Sequence, residues 1–314
     1  MSGVWTIVLA GGHGTRLWPL STRERPKQTR ALVTGESMIA ETIARTPSPI
    51  ERCIVVTTPQ LKSVVGVAVP GLPAGQIVAE PSSRHTAPAV LFGIREAVRA
   101  GATDVIILPA DHHVTDNDGF REVIGQSLEV ARTHEAIALL GIVPTRPETG
   151  FGWIEVGARP DGPAKVEGFH EKPNLERATE MLESGCYLLN AGIFCGPVQA
   201  FLAAYHRHLP GCRAWWDGGG WEQTERVSFD VGVLEKETGL WVLPLDVGWD
   251  DLGSWPALMR HHGGGRARSV SGNDEGRHQV WAPDHDVVLA CELPVRVVLD
   301  GGTLYVMERK EEDT

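Results

Sequence analysis

A run of β-forming residues, Val4-Trp5-Thr6-Ile7-Val8-Leu9, drops straight into Ala10-Gly11-Gly12-His13-Gly14-Thr15-Arg16-Leu17, and a Pro-bounded bend, Arg25-Pro26-Lys27, follows. No other stretch constrains the chain as much. Glycines without a Cβ let backbone N–H groups close on a ligand. The helical start after them and the nearby cations favour an anion. The stretch predicts a phosphate-cradling loop after the first strand, with Arg16 and Lys27 as its cations. It is neither common phosphate motif. No Gly-Lys-Ser/Thr follows, and Leu17 stands where the third glycine of GxGxxG would be. A tight turn that binds nothing is the plainer alternative, and the loop alone does not exclude it.

Short apolar β-rich runs recur at 4–9, 53–57, 105–108 and 136–143. Between them, residues 89–100 carry Val90, Leu91, Ile94, Ala97 and Val98 at helical spacing and stop at Gly101. Strand–helix–strand alternation with continuously apolar strands predicts an α/β fold whose mainly parallel sheet is sandwiched by helices. Ligands of such sheets sit beyond the C-terminal strand ends. Residues 11–15 and Asp111 both lie just past a strand and are expected to share one rim. From Gly150 the texture changes. Runs at 151–156 and 165–170 alternate like antiparallel strands, 188–195 reads as another strand, and 175–184 as a helix stopped by Gly185. This half is expected to grow on the same sheet. A Gly/Arg/Ser-rich linker is expected over 261–276. A small β appendage over 277–314 follows, with apolar runs at 287–290, 295–299 and 304–307 and a frayed charged end at 310–314.

Bulk properties exclude several classes. Lys+Arg 29 against Asp+Glu 40 gives a net charge of −11, the wrong sign for a nucleic-acid binder. Hydrophobic content of 42% is that of a globular chain and not of a disordered one. No basic leader and no apolar run of about 18 residues stands in the sequence, so no membrane partner and a soluble, cytoplasmic protein are expected. The cysteines Cys53, Cys186, Cys195, Cys212 and Cys291 form no CxxC pair, which fits a reducing compartment, with Cys186 and Cys195 expected in the core. No GxSxG-type nucleophile is present.

The set Gly11-Gly12-x-Gly14-Thr15-Arg16-Leu17, Pro19-Leu20 and Arg25-Pro26-Lys27 resembles the signature of sugar-1-phosphate nucleotidylyltransferases, and Trp18 and Gln28 narrow the likeness to mannose-1-phosphate guanylyltransferases. Further blocks agree in order. They are Glu80-Pro81-x-x-Arg84-x-Thr86-Ala87, Pro109-Ala110-Asp111-His112, Gly150-Phe151-Gly152-Trp153-Ile154 and Phe169-x-Glu171-Lys172-Pro173. Asn190-x-Gly192-Ile193-Phe194, Ser228-x-Asp230 with Glu235-Lys236, and Trp249-x-Asp251-x-Gly253-Ser254-Trp255 complete them. The resemblance covers roughly residues 4–258. It implies a Rossmann-like, GT-A-like nucleotidyltransferase fold over 1–260, with a nucleotide part at about 1–149 and a sugar-binding lobe at about 150–260. The β appendage resembles a shortened left-handed β-helix, which in the family often helps a homodimer form.

The activity implied is GMP transfer from GTP to α-D-mannose 1-phosphate, giving GDP-mannose and pyrophosphate by in-line attack of the sugar phosphate on the α-phosphorus. Such chemistry is positioning and charge stabilisation. The resemblance makes Ala10, Gly11, Gly12, Gly14, Thr15, Arg16 and Lys27 the triphosphate side. Glu80, Arg84, Thr86 and Pro109 fall to the base and nucleotide side. Asp111 and Asp251 become carboxylate ligands of Mg²⁺, with Asp250 as a rival to Asp251. Gly152, Glu171, Lys172, Asn190 and Asp230 fall to the sugar phosphate. Lys172 takes the phosphate, Glu171 accepts from mannose hydroxyls, and Asp230 binds mannose or braces Lys172. Adjacent His112 and His113 point apart in extended chain and are read as structural.

The chain departs from the family at Thr29-Arg30-Ala31-Leu32, where Phe and an apolar–Pro pair are usual, at Leu189 and at His85. Its 314 residues leave no room for the isomerase domain fused to some relatives, so that second activity is not expected. The alternatives are the same fold with thymidylyl- or uridylyltransferase specificity for glucose 1-phosphate, or a silent sugar-nucleotide sensor. A sensor should lose Lys27, Asp111 or Asp251, and all three are retained. A nicotinamide dehydrogenase is disfavoured by the missing third glycine.

Overall fold

The computed structural model describes residues 3–158, 160–261, 267–269, 279–281, 287–289 and 295–308. Contacts divide the chain into two compact units. The first comprises Met1–Gly11, Ile39–Ala110 and Val114–Trp249, the second Gly12–Met38, Asp111–His113 and Asp250–Thr314.

The first unit is a ten-stranded mixed sheet. Its strands are β1 (Val4–Leu9), β2 (Cys53–Thr57), β3 (Ile77–Ala79), β4 (Asp104–Pro109), β5 (Ala138–Ile142), β6 (Gly152–Glu155), β7 (Ala164–Lys165), β8 (Gly168–Glu171), β9 (Tyr187–Pro197) and β10 (Trp241–Pro244). The order is β3-β2-β1-β4-β9-β5-β10-β7, with β6 pairing β9 and β8. β1 to β6 and β10 run one way and β7, β8 and β9 oppose them, so the sheet is mainly parallel. Alternation along the strands buries both faces. Ile7, Ile54, Val56 and Ile107 pack with Val90, Leu91 and Ile94 of the helix Thr86–Arg99. Val8 and Val55 pack with Ile39 and Ile43 of Met38–Arg45 and with Val65 of Lys62–Ala68. Ile106, Leu108 and Leu140 meet Phe120, Ile124 and Leu128 of Asn117–Thr133.

Several boundaries move for identifiable reasons. The helix expected over 89–100 starts at Thr86, because Ala87 N donates to Val227 O at 3.2 Å and Thr86 Oγ1 accepts from Phe229 N at 2.9 Å. Pro88 then falls in the first turn, where its missing N–H costs nothing. The strand expected over 165–170 is two strands, because the chain changes partner. β7 pairs with β10, and β8 pairs with β6. β3 and β10 are too short for alternation to reveal. Helix 175–184 stands as expected, with Gly185 left-handed at φ 69 as its cap. Cys195 is buried, but Cys186 is only half-buried in the turn before β9, which corrects its expected place in the core.

In the second unit, Leu17, Leu20, Leu32, Leu252, Trp255, Leu258, Trp281 and Val298 form one apolar core. It joins the 12–38 loop, the helix Trp255–His261 and a three-stranded sheet of Gln279–Trp281, Val295–Asp300 and Thr303–Glu308. Ala267–Ser269 pairs in parallel with Val287–Leu289. Most of the expected linker 261–276 and the charged end at 310–314 lie outside the described residues. Among the described residues no helix is long and apolar enough to cross a membrane.

Candidate active site

In the first unit, β1 and β4 run in parallel with Leu9 opposite Pro109. Ala10 N donates to Val56 O at 2.8 Å and Ala110 N to Leu9 O at 3.1 Å, so the sheet's hydrogen bonding continues to the points where the chain passes on to Gly12 and to Asp111. The expectation that both segments leave one rim of the sheet holds.

Within the second unit the glycine loop is built around Lys27. Pro26 presets the bend (φ −66), and Lys27–Thr29 forms one 3-10 turn. The Lys27 side chain is only 4% exposed. Its Nζ donates to Asp111 O at 2.8 Å, to Asp111 Oδ2 at 3.0 Å and to Asp251 O. Three N–H bonds find three acceptors, so a buried ammonium is fully satisfied. Gly14 is left-handed (φ 58), and a Cβ there would stand 2.5 Å from Lys27 Cβ. Both conformation and space therefore demand glycine. A Cβ on Gly12 would meet nothing within 4 Å, so that backbone is open on its outer side. Gln28 Nε2 holds Gly12 O at 2.7 Å, and Ser21 Oγ donates to Gly14 O. Thr15 and Arg16 are exposed.

Asp111 and Asp251 come together on Lys27. Burial works against ionising Asp111, but the charges of Lys27, His112 and Arg16 and the Lys27 hydrogen bond outweigh it and hold its carboxyl below the ordinary range. Asp250 is committed to structure. Its Oδ1 accepts from Leu252 N at 2.8 Å, and its Oδ2 from Arg260 Nη2 at 2.9 Å and His261 Nε2 at 3.1 Å. Asp251 Oδ1 accepts from Gly253 N at 3.1 Å. A Cβ on Gly253 would lie 2.2 Å from Asp251 Oδ2 and 3.2 Å from Arg16 Nη2, so this glycine clears space beside both groups. His113 pairs its backbone with Asp250 (N–H to O, 2.8 and 3.0 Å) and stacks edge-on against His261 at 4.9 Å. Among the described residues no group of three His, Cys, Asp or Glu converges to hold a metal. Two hard carboxylates suit Mg²⁺, which completes its shell with phosphate and water.

The base-side residues lie in the first unit. Glu80 is 3% exposed, and a Cβ on Gly11 would sit 3.6 Å from its Oε1. Burial pushes its carboxyl up to about 7, only partly opposed by the Arg84 backbone N–H, and Oε2 finds no hydrogen-bond partner among the described residues. Arg84 turns away from the role expected of it. Its guanidinium donates to Thr224 O at 2.8 and 3.0 Å and to Glu222 O at 3.0 Å, fastening the 222–224 segment. Nothing in the sequence points to those carbonyls.

The expected sugar-side residues also converge within the first unit. Gly152 pairs with Glu171 across β6 and β8. A Cβ there would come 2.6 Å from Phe169 Cζ and 2.8 Å from Glu171 Oε2, so glycine makes room for both. Lys172, at φ 47 and 59% exposed, rests its Nζ on Glu171 Oε1. Asn190 is buried. Its Nδ2 donates to Asp230 Oδ1 at 2.8 Å and its Oδ1 accepts from Gly192 N at 2.9 Å. Asp230 opens a π-turn, Asp230–Leu234. Burial and the Glu171 charge push its carboxyl up to about 6 against the pull of Lys172 and Asn190. Glu235 joins by accepting Glu171 N at 3.1 Å, a contact that the Glu235-Lys236 block did not by itself announce.

Comparisons with known proteins agree with this architecture. The nucleotidyl transferase family model matches residues 5–264. The xanthan biosynthesis protein XanB of Xanthomonas campestris pv. campestris (strain B100) is 35% identical over 279 residues, 82% of this chain and 59% of that protein. The mannose-1-phosphate guanylyltransferase of Escherichia coli (strain K12) is 31% identical over 284 residues, again 82% of this chain and 59% of that protein. The chain thus spans somewhat over half the length of these relatives. A crystal structure described as mannose-1-phosphate geranyltransferase from Thermus thermophilus superimposes with a TM-score of 0.83 at 31% identity, covering 98% of this chain and 95% of that one. A parallel-sheet core that runs out into a glycine loop, together with a family match over residues 5–264, makes this chain a member of the nucleotidyl transferase family.

Proposed function

We propose that the protein transfers GMP from GTP to α-D-mannose 1-phosphate, releasing pyrophosphate and forming GDP-mannose. The observation that carries this reading is the Lys27 ammonium seated on Asp111 and on the Asp251 backbone, with an ionised Asp111 carboxylate beside it. This is fixed charge of both signs, arranged before any substrate arrives, which is how phosphoryl-type transfer is accelerated.

Asp111 and Asp251 are the residues that would hold Mg²⁺, which when bound supplies charge neutralisation at phosphate oxygens. Arg16, exposed at the edge of the loop, offers a fork to the triphosphate, and the backbone N–H groups of Gly11, Gly12 and Gly14 line it. Ala10, Thr15, Thr86 and Pro109 shape the nucleotide side. Glu80 supports guanine because a carboxylate accepts from N1–H and the 2-amino group together. Its unpartnered Oε2 is an acceptor looking for such donors. Lys172 takes the phosphate of mannose 1-phosphate, and Glu171, Asn190, Asp230 and the Gly152 backbone meet the sugar. Arg84 acts by holding the 222–224 segment.

The relative named for mannose-1-phosphate guanylyltransferase supports GDP-mannose as product. A cytoplasmic homodimer is the state we assign, and sedimentation of the purified chain tests the dimer. The activity test is pyrophosphate release with Mg²⁺ across GTP, ATP, UTP and dTTP, each paired with mannose and glucose 1-phosphates. GTP with mannose 1-phosphate should lead every other pair. No release from that pair sinks the reading, and preferred release with dTTP or UTP and glucose 1-phosphate replaces it with the rival specificity.

A further inference from the structure

The Thr29-Arg30-Ala31-Leu32 run breaks the family's pattern immediately after Lys27 and Gln28, and the structure gives Arg30 a partner far along the chain. Its Nη2 donates to Asp300 Oδ1 at 2.5 Å. The other oxygen of the same carboxylate, Oδ2, lies 3.0 Å from Arg25 Nη2. Asp300 is the last residue of the strand Val295–Asp300, and its side chain is only 10% exposed. One carboxylate therefore grips both ends of the bend that carries Lys27.

We infer that Asp300 is a positioning residue for the Lys27 ammonium, a role that rests on reading Lys27 as a catalytic cation. The bend itself is short. It is one 3-10 turn, with Thr29 N on Pro26 O at 2.9 Å and Arg30 N on Lys27 O at 3.0 Å, followed by the Met38 N to Arg30 O bond at 3.1 Å. One such turn is a weak structure by itself. The two guanidinium arms add the constraint it lacks: Arg30 through a charge-assisted hydrogen bond and Arg25 through an ion pair to the other oxygen of the same carboxylate. The same C-terminal sheet also steadies the loop's other limb. Trp18 stacks edge-on with Tyr305 at 5.7 Å, while Leu17, Leu20 and Leu32 share a core with Trp281 and Val298. Both halves of the glycine loop are thus backed by the C-terminal sheet. That sheet becomes part of the machinery that presents the loop, whatever it does in assembly.

The test follows Lys27 directly. Acetylation by an N-hydroxysuccinimide ester is timed by mass spectrometry, with exposed Lys62 as internal reference, on the full chain. In the wild type Lys27, 4% exposed, should be acetylated far more slowly than Lys62. In Asp300→Asn its rate relative to Lys62 should rise about 10-fold or more, and kcat should fall by about the same factor, since a shift near 1 Å can cost up to about 10²-fold. Asp300→Glu, which keeps the charge, should recover most of the protection. Val306→Ser, on the exposed side of the neighbouring strand, should leave it intact. If Asp300→Asn labels every lysine and melts early, Arg30→Gln, which spares the Arg25 arm, takes its place and should give an intermediate Lys27 rate. Lys27 remaining protected in a folded Asp300→Asn or Arg30→Gln protein overturns the inference. Because labelling needs no turnover, a failure of the proposed reaction would show separately, in the wild-type assay.

Discussion

Lys27 and Lys172 are the two lysines assigned to phosphate, and the fold treats them in opposite ways. Lys27 is 4% exposed and its three N–H bonds are spent on Asp111 and the Asp251 backbone. Lys172 is 59% exposed, at a positive φ, and rests on Glu171. The carboxyls beside them differ in the same sense. Asp111 is held below its ordinary range by cations that overcome burial, whereas burial and the Glu171 charge lift Asp230 to about 6. A satisfied, desolvated cation is set before substrate arrives and reorganises little during the reaction. An exposed lysine on a neighbouring glutamate can exchange that partner for an incoming phosphate. In the proposed reaction the first suits the transition state and the second suits capture.

The largest expected effect is at the fixed cation. Lys27→Gln should lower kcat about 10²- to 10³-fold, about 3–4 kcal/mol, with a smaller change in KM for the sugar phosphate. Lys27→Arg should not restore it, because the three acceptors Asp111 O, Asp111 Oδ2 and Asp251 O converge on a compact ammonium, which a longer planar guanidinium does not reproduce. A loss confined to KM would place Lys27 with Lys172 and erase the contrast.

Next comes the carboxylate pair. Asp251→Asn should abolish metal-dependent turnover, and Mn²⁺ titration by electron paramagnetic resonance should show weakened binding. Asp250→Asn should retain much of both, because its side chain holds Leu252, Arg260 and His261. The reverse pattern would exchange their roles.

Lys172→Ala should act mainly on KM for mannose 1-phosphate, about 10- to 100-fold, as expected for a charged hydrogen bond worth about 1.5–3 kcal/mol. An equal loss in kcat and kcat/KM would make it a transition-state group like Lys27.

The smallest effect is in pH. Asp230 takes up its proton below about pH 6, so KM for the sugar phosphate should rise several-fold as pH falls through 6, and Asp230→Asn should flatten that profile. Stability runs the other way. A carboxyl whose folded pKa is raised from 3.8 to about 6 favours the native state below about pH 4. That advantage, up to about 3 kcal/mol, is lost as pH rises through 6. Asp230→Asn should therefore melt higher than wild type above pH 6 by thermal denaturation, with little difference near pH 4.

The contrast between the two lysines is not legible in sequence, although both stand out there. Lys27 and Lys172 occupy similar Pro-flanked motifs, Arg25-Pro26-Lys27 and Glu171-Lys172-Pro173. Burial is set by what arrives from elsewhere, here Asp111 and the 251 segment, 84 and 224 positions away. Arg84 teaches the same lesson from the other side. Its motif reads as a base contact, yet it spends its donors on carbonyls about 140 positions on, which carry no side-chain signature.

Sequence by itself determined the elements with local causes. The apolar strands at 4–9 and 53–57 and the glycine stop at 185 follow from side-chain period and backbone sterics within a few residues. The ordered blocks also mark the nucleotidyl transferase family without any coordinates. Only the tertiary structure decided the rest. It gave Asp250 the partners Leu252, Arg260 and His261, split the 165–170 strand between two partners, and brought Arg30 to Asp300. Those outcomes depend on pairings between distant segments, and a hydrogen bond or ion pair leaves no mark on the sequence around either partner.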